Sequence, residues 1–142
     1  MKFLESDFPI IELENRTGSK YIILQADKTG QWVYNDWRGV LAKGDVIEGA
    51  TLVLEAIRKT CYNKVLNDNT NLLGSWEGAN EWIQNEWTPT AKRLGLQYFA
   101  HVLSPDRYAQ LSAEQMQKNT SGNFEMRLFG DINKAKEWLL SV

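Results

Sequence analysis

The stretch VLNDNTNLLGSWEGANEWIQNEW, Val65–Trp87, changes its chemical period midway. It opens with Lys64–Asn67, a short run of strand character. Asn67-Asp68-Asn69-Thr70 follows, a grouping in which side chains commonly satisfy the local backbone as an Asx-type turn. Beyond Gly74, Ser75 has the chemistry of a helix N-cap, and Trp76, Ala79, Ile83 and Trp87 then recur on one helical stripe. A strand passing into a helix in this way is the repeating unit of an α/β fold.

Outward from this unit, the N-terminal side reads as strands. Phe8–Leu13 and Tyr21–Gln25 are apolar, β-branched runs separated by the turn residues Asn15–Ser19. Asp27-Lys28-Thr29-Gly30 is a second turn, and Gln31–Trp37 a third strand, so the first three strands form an antiparallel meander. Ile47, Ala50, Leu54, Ile57 and Cys61 then recur at helical spacing and predict a helix over Gly44–Thr60, with Leu52 on its far side.

On the C-terminal side, Thr88-Pro89 reads as a cap followed by proline at the first position of a separate short helix, stopped by Gly95. Gln97–Leu103 is a strand. Ser104-Pro105 opens a helix to about Gln117, and Asn119–Asn123 is a loop. Phe124–Phe129 alternates as a half-buried strand does, and Asp131 caps a final helix carrying Ile132, Ala135, Trp138 and Leu139 on its buried side. The expected fold is α/β: a mixed β-sheet with helices, in the order βββαβα(α)βαβα, as one domain over residues 1–142.

Composition narrows the function. Eighteen acidic and 16 basic side chains leave a net charge of −2, and no basic run exceeds a pair. Neither nucleic acid nor an anionic membrane surface is an expected partner. Cys61 is the single cysteine and cannot form an internal disulfide. Met1–Leu4 is followed at once by Glu5, Ser6 and Asp7, which breaks a signal-type apolar core, and no run of 18 apolar residues occurs. The expected location is cytoplasmic. No GxGxxG or P-loop motif is present, and no cofactor is expected.

Several short motifs carry a resemblance: Trp37-Arg38-Gly39, Lys64–Asn69, Gly74-Ser75-Trp76, Ala79 with Trp82, Gly95-Leu96, Ala100-His101-Val102, and Ala135 with Trp138-Leu139. In this order over residues 31–140 the chain resembles STAS domains, the fold of anti-sigma-factor antagonists and of the cytoplasmic tails of sulfate transporters. More narrowly it is similar to the single-domain bacterial STAS-like, or anti-sigma-factor-antagonist-like, proteins of unknown function. The resemblance implies a non-catalytic regulatory or protein-binding module. In signalling members an Asp-Ser pair at a helix N-terminus carries a phosphorylated serine. Ser75 matches that serine, while Gly74 stands in place of the aspartate and Trp76 in place of a small residue. Binding is therefore the expectation ahead of phosphorylation.

The candidate site residues are Ser75, Asn67, Asp68, Asn69 and Trp82. A phosphate on Ser75 would meet free backbone N–H groups and the positive end of the helix dipole, although capping alone also explains the residue. Asn67–Thr70 lies after a strand, where ligands of open α/β sheets bind. Trp82 points about 100° away from the Trp76 stripe at 3.6 residues per turn, and is placed for a pocket or an interface. Trp76 and Trp87 are read as core. Asp45 and Glu48 are read as solvated surface.

Two other readings are carried forward. One is a small-ligand or lipid-binding domain with an aromatic-lined apolar pocket. The other is an enzyme using Asp68 or His101. His101, the only histidine, is expected to be a partly buried, hydrogen-bonded residue. No sequence signature joins it to Cys61 or Ser104, and a zinc site is not expected.

Overall fold

The computed structural model describes residues 8–142. Met1–Asp7, where the signal-type core is broken, lies outside the described residues. The elements are β1 (Ile11–Glu14), β2 (Lys20–Asp27), β3 (Trp32–Val40), α1 (Lys43–Thr60), β4 (Lys64–Leu73), α2 (77–93), β5 (Tyr98–Val102), α3 (Arg107–Thr120), β6 (Glu125–Phe129) and α4 (Ile132–Ser141). All six strands form one sheet in sequence order. The β1–β2 and β2–β3 pairs are antiparallel, and the other three pairs are parallel. The expected mixed sheet is present, and so is the element order, except that the two helices expected between β4 and β5 are one.

The two faces of the sheet carry different loads. One is covered by α1, α2 and α3 and holds the larger apolar core, including Ile22, Val33, Val53, Ile57, Val65, Trp87 and Phe99. The other is packed by α4, where Ala135, Trp138 and Leu139 meet Trp32, Leu66, Ala100 and Val102. Strand alternation divides neighbours between these faces, as Val65 and Leu66 illustrate.

Three expectations are corrected here. First, β4 does not stop at Asn67. It continues to Leu73, so Asn67, Asp68 and Asn69 are buried strand residues rather than a turn beyond the strand. Backbone partners on β3 and β5 hold this polar run extended, so tertiary pairing overrides its turn propensity. The turn chemistry survives locally, because Asp68 Oδ1 accepts hydrogen bonds from the Thr70 N–H at 3.0 Å and from its hydroxyl. The β3–β4 register shifts at this point: Asp36 pairs with Asp68, but Arg38 pairs with Asn71. The extra β4 residue re-aims everything after it, so Leu72 is buried and Asn71 exposed.

Second, Thr88 does not cap a separate helix. Residues 77–93 are one helical run composed of a 3-10 turn, an α turn, a π turn at Ile83–Trp87 and an α segment at Thr88–Arg93. Thr88 is helical (φ −62°, ψ −48°), and its N–H bonds the Ile83 carbonyl five residues back. Pro89 has no N–H to give to the preceding turn, and its ring crowds the carbonyl four residues earlier. The wide turn placed immediately before it accommodates both effects.

Third, the buried face of α1 is centred on Val46, Gly49, Ala50, Val53, Ala56 and Ile57, with Cys61 exposed. Gly49 seats a tryptophan here: a Cβ at this position would lie 2.6 Å from the Trp37 ring. Leu52, expected on the far side of α1, is half-buried against the core.

Candidate functional site

The larger core is not completely filled. Between the sheet and α1, α2 and α3 lies a pocket of about 50 Å³. Its walls are apolar: Val46, Ala50 and Val53 from α1, Trp76, Ile83 and Trp87 around α2, Leu72 and Phe99 from the sheet, and Met116 from α3. Its floor is not, because Asn35, Trp37, Asn67 and Asn69 also line it. Both ends of the π turn, Ile83 and Trp87, face this pocket, and such turns recur at functional sites.

Period-2 spacing puts these polar residues together. Asn35 and Trp37 alternate along β3, and Asn67 and Asn69 along β4, so all four share the face that His101 occupies on β5. Asn35 and His101 are each only 1% exposed. Buried amides of this kind need partners, and here they take one another. Asn67 Oδ1 accepts from the Trp37 indole N–H at 2.8 Å and from Asn35 Nδ2 at 3.3 Å. Asn67 Nδ2 donates to Asn69 Oδ1 at 3.2 Å and lies 3.2 Å from His101 Nδ1, while Asn69 Nδ2 lies 3.3 Å from His101 Nε2.

This network has one more N–H than it has acceptors. An indole nitrogen only donates, so Trp37 fixes Asn67 with its oxygen toward the indole and its NH₂ toward Asn69 and His101. A neutral imidazole has one N–H and one acceptor nitrogen. Both of its nitrogens face amide NH₂ groups, so in either tautomer one N–H meets another N–H. Turning the Asn69 amide moves the conflict to Asn67 without removing it. At the same time Asn35 Oδ1 and Trp76 Nε1, both buried, have no hydrogen-bond partner among the described residues.

Burial lowers the His101 pKa from 6.5 to about 4, against a weaker opposing pull from the Asp68 charge, so the ring is neutral at ordinary pH. It stacks on Phe99, with ring centroids 6.3 Å apart, and lies 6.2 Å from Trp76. His101 has the hydrogen-bonding neighbours expected of it, but it is fully rather than partly buried.

Asp68 belongs to the opposite face. Its Oδ2 accepts from the Tyr34 hydroxyl at 2.9 Å, and it pairs in register with Asp36, whose Oδ2 accepts from Arg38 at 2.8 Å. Asp68 and His101 therefore do not converge on one site. Among the described residues no group of three His, Cys, Asp or Glu side chains is placed to hold a metal ion. Asp45 and Glu48 have structural partners, the Ala42 N–H and the Tyr21 hydroxyl.

Ser75 lies outside the pocket but beside it. The residue is exposed, and its Oγ accepts from the Glu77 N–H at 3.1 Å and lies 3.1 Å from Ser112 Oγ. The N-cap position itself falls on Trp76, and Ser75, one residue before it, takes the Glu77 N–H of the first turn of α2. Ser112 Oγ also accepts from the Trp76 N–H at 3.1 Å. A carboxylate does stand near this position: Asp106 Oδ2 accepts from the Gly74 N–H at 2.9 Å. That bond, with others from Tyr108 and Ala109, holds the Asp106 pKa below its ordinary value. Trp82 is half-buried against the core and lies outside the pocket lining, where Trp37, Trp76 and Trp87 take the place expected of it.

The sequence reading missed Asn35 and Trp37 as site residues. The signal was present in two pairs of polar or amphipathic residues at i, i+2 on neighbouring strands.

No family model matches the chain, and no curated protein matches it. A crystal structure of an uncharacterised protein from Shewanella loihica PV-4, described as a DUF3478 family member with a SpoIIAA-like fold, superposes on the chain with a TM-score of 0.56. The two are 18% identical over 83% of this chain and 91% of the other. The fold is therefore STAS-like, as the sequence motifs implied. Among the described residues no helix is long and apolar enough to cross a membrane.

Proposed function

We propose that this chain is a non-catalytic regulatory module of STAS type. It takes a small, largely apolar ligand into the pocket beneath α2 and presents the start of α2, around Ser75, to a protein partner or a second copy. One observation carries the reading: two consecutive residues serve the two surfaces. Ser75 is exposed, and Trp76 lines the pocket. A change in pocket occupancy that shifts the Trp76 ring acts directly on the backbone that carries Ser75.

The pocket supports a ligand rather than a reaction. Its walls are aromatic and aliphatic, its polar groups are neutral amides and an indole, and the one titratable ring beside it is held neutral. A catalytic site would need an acid, base or nucleophile facing the cavity.

The test uses xenon, a small apolar probe of protein cavities, followed by NMR of the ¹⁵N-labelled chain. The indole signals of Trp37, Trp76 and Trp87 shift, and the amides of Gly74–Glu77 shift with them. Trp32 and Trp138 pack on the other face and serve as internal controls. Unmoved pocket indoles would remove the ligand half of the reading. The partner half is tested with Ser75→Glu, which keeps the fold and weakens association measured by sedimentation. Unchanged association would count against that surface.

A further inference from the structure

The polar floor of the pocket narrows the ligand, given that the pocket binds one. Two buried groups in the lining, the Asn35 Oδ1 acceptor and the Trp76 Nε1 donor, have no partner among the described residues. The surrounding amides cannot relieve either. Asn35 Nδ2 is committed to Asn67 Oδ1, so turning the Asn35 amide would set oxygen against oxygen. Asn69 and His101 hold a surplus N–H, which adds a second donor in need of an acceptor.

A ligand hydroxyl supplies both missing partners, since it donates once and accepts through two lone pairs. A carboxylate accepts only, and would leave Asn35 Oδ1 facing another acceptor. An ammonium donates only, and would add to the N–H surplus. Neither charge finds a counter-ion, because no charged side chain among the described residues lines the pocket, and burying an unpaired charge is costly. Size sets the rest. The pocket volume of about 50 Å³ is well below the roughly 150 Å³ of a cavity that accepts benzene.

We infer that the pocket selects a short, neutral alcohol-type ligand: a few carbons against the aliphatic side chains of α1 and the tryptophans around α2, and one hydroxyl on the Asn35 end, donating to Oδ1.

This inference rests on the pocket reading above, and the experiment separates the two. 1-Propanol and n-butane have the same number of heavy atoms and differ by a hydroxyl in place of a methyl. Affinities for both are measured from the Trp37, Trp76 and Trp87 indole shifts in the wild-type chain and in Asn35→Leu. The alcohol-to-alkane affinity ratio is expected to fall about tenfold in Asn35→Leu, the scale of losing one buried hydrogen bond. An unchanged ratio with both probes bound would overturn the hydroxyl inference and leave the pocket reading standing. Binding of neither probe would overturn both. If Asn35→Leu does not fold, the pose of 1-propanol in the wild-type chain decides. Nuclear Overhauser contacts from the hydroxyl-bearing carbon to the Asn35 amide, and from the methyl to Val46 and Val53, support the inference. The reversed or an unoriented pose rejects it.

Discussion

The Trp37 indole N–H donates to Asn67 Oδ1 at 2.8 Å, and this one bond between β3 and β4 fixes how the Asn67 amide and, through it, the Asn35 amide are turned. Indole cannot accept, so Asn67 has only one orientation, and Asn35, Asn69 and His101 must arrange themselves around it. The amide is also fully used, accepting twice and donating toward two neighbours.

Asn67→Ala is therefore expected to be among the most destabilising substitutions on the sheet. It strands the buried Trp37 N–H and removes the shared partner of three other groups. The loss is about 2–4 kcal/mol, since a single unsatisfied buried group costs about 1–3 and networks exceed the sum of their pairs. Urea unfolding measures it. A loss below about 1 kcal/mol would mean that the network relaxes freely.

His101 gives the fold a specific pH dependence. Its pKa is about 4 when folded and 6.5 as the ordinary value, so the unfolded chain takes up the proton first. The stability associated with the neutral ring is fully present above pH 6.5 and is lost as pH falls toward 4. At about 1.4 kcal/mol per pH unit the loss reaches about 3 kcal/mol across that window. The check is a comparison of denaturation midpoints at pH 7 and pH 4.5 in the wild-type chain and in His101→Gln. The variant loses this part of the pH slope; parallel slopes would show that the ring titrates normally.

Gly49→Ala reverses the usual effect of replacing a helical glycine. In an open helix alanine gains roughly 0.5–1 kcal/mol over glycine. Here the new methyl would sit 2.6 Å from the Trp37 ring. Overpacking of this kind costs about 1–3 kcal/mol, so a net loss and a change in tryptophan emission are expected. A gain in stability would place Trp37 elsewhere.

Ser75 and Ser112 face each other at 3.1 Å, yet their alanine variants differ in cost. Ser75→Ala removes the exposed acceptor of the Glu77 N–H and costs about 1 kcal/mol. Ser112 is 3% exposed and is the acceptor for the Trp76 N–H. Ser112→Ala leaves that donor without an acceptor and costs about 1–3 kcal/mol, with the greater effect on the Trp76 indole signal. Equal costs and an unmoved Trp76 signal would remove Ser112 from the support of the pocket wall.

What was legible in the chain was what short-range period encodes. The apolar stripe Trp76–Ala79–Ile83–Trp87 gave the buried face of α2 correctly, because side-chain direction on a helix follows from spacing. The three-strand meander and the later strand–helix units followed from turn residues and alternation. The α1 stripe was misjudged because both Ile47 and Val46 are apolar, and only contact with Trp37 and the sheet selects between them. Pro89 was read as the start of a helix because proline is at home there. A π turn, which no local propensity announces, let it sit inside one.

The sequence by itself determined the order of strands and helices, since that depends on local period and on turn chemistry, while the STAS-like arrangement was carried by a resemblance of short motifs. Tertiary structure alone decided that Asn67-Asp68-Asn69 is strand rather than turn, and that its two amides face a pocket while its carboxylate faces away. The physical reason is that a polar backbone run becomes extended only when neighbouring strands take its hydrogen bonds. Which face each side chain then meets is set by pairing register, and register is a property of β3, β4 and β5 together.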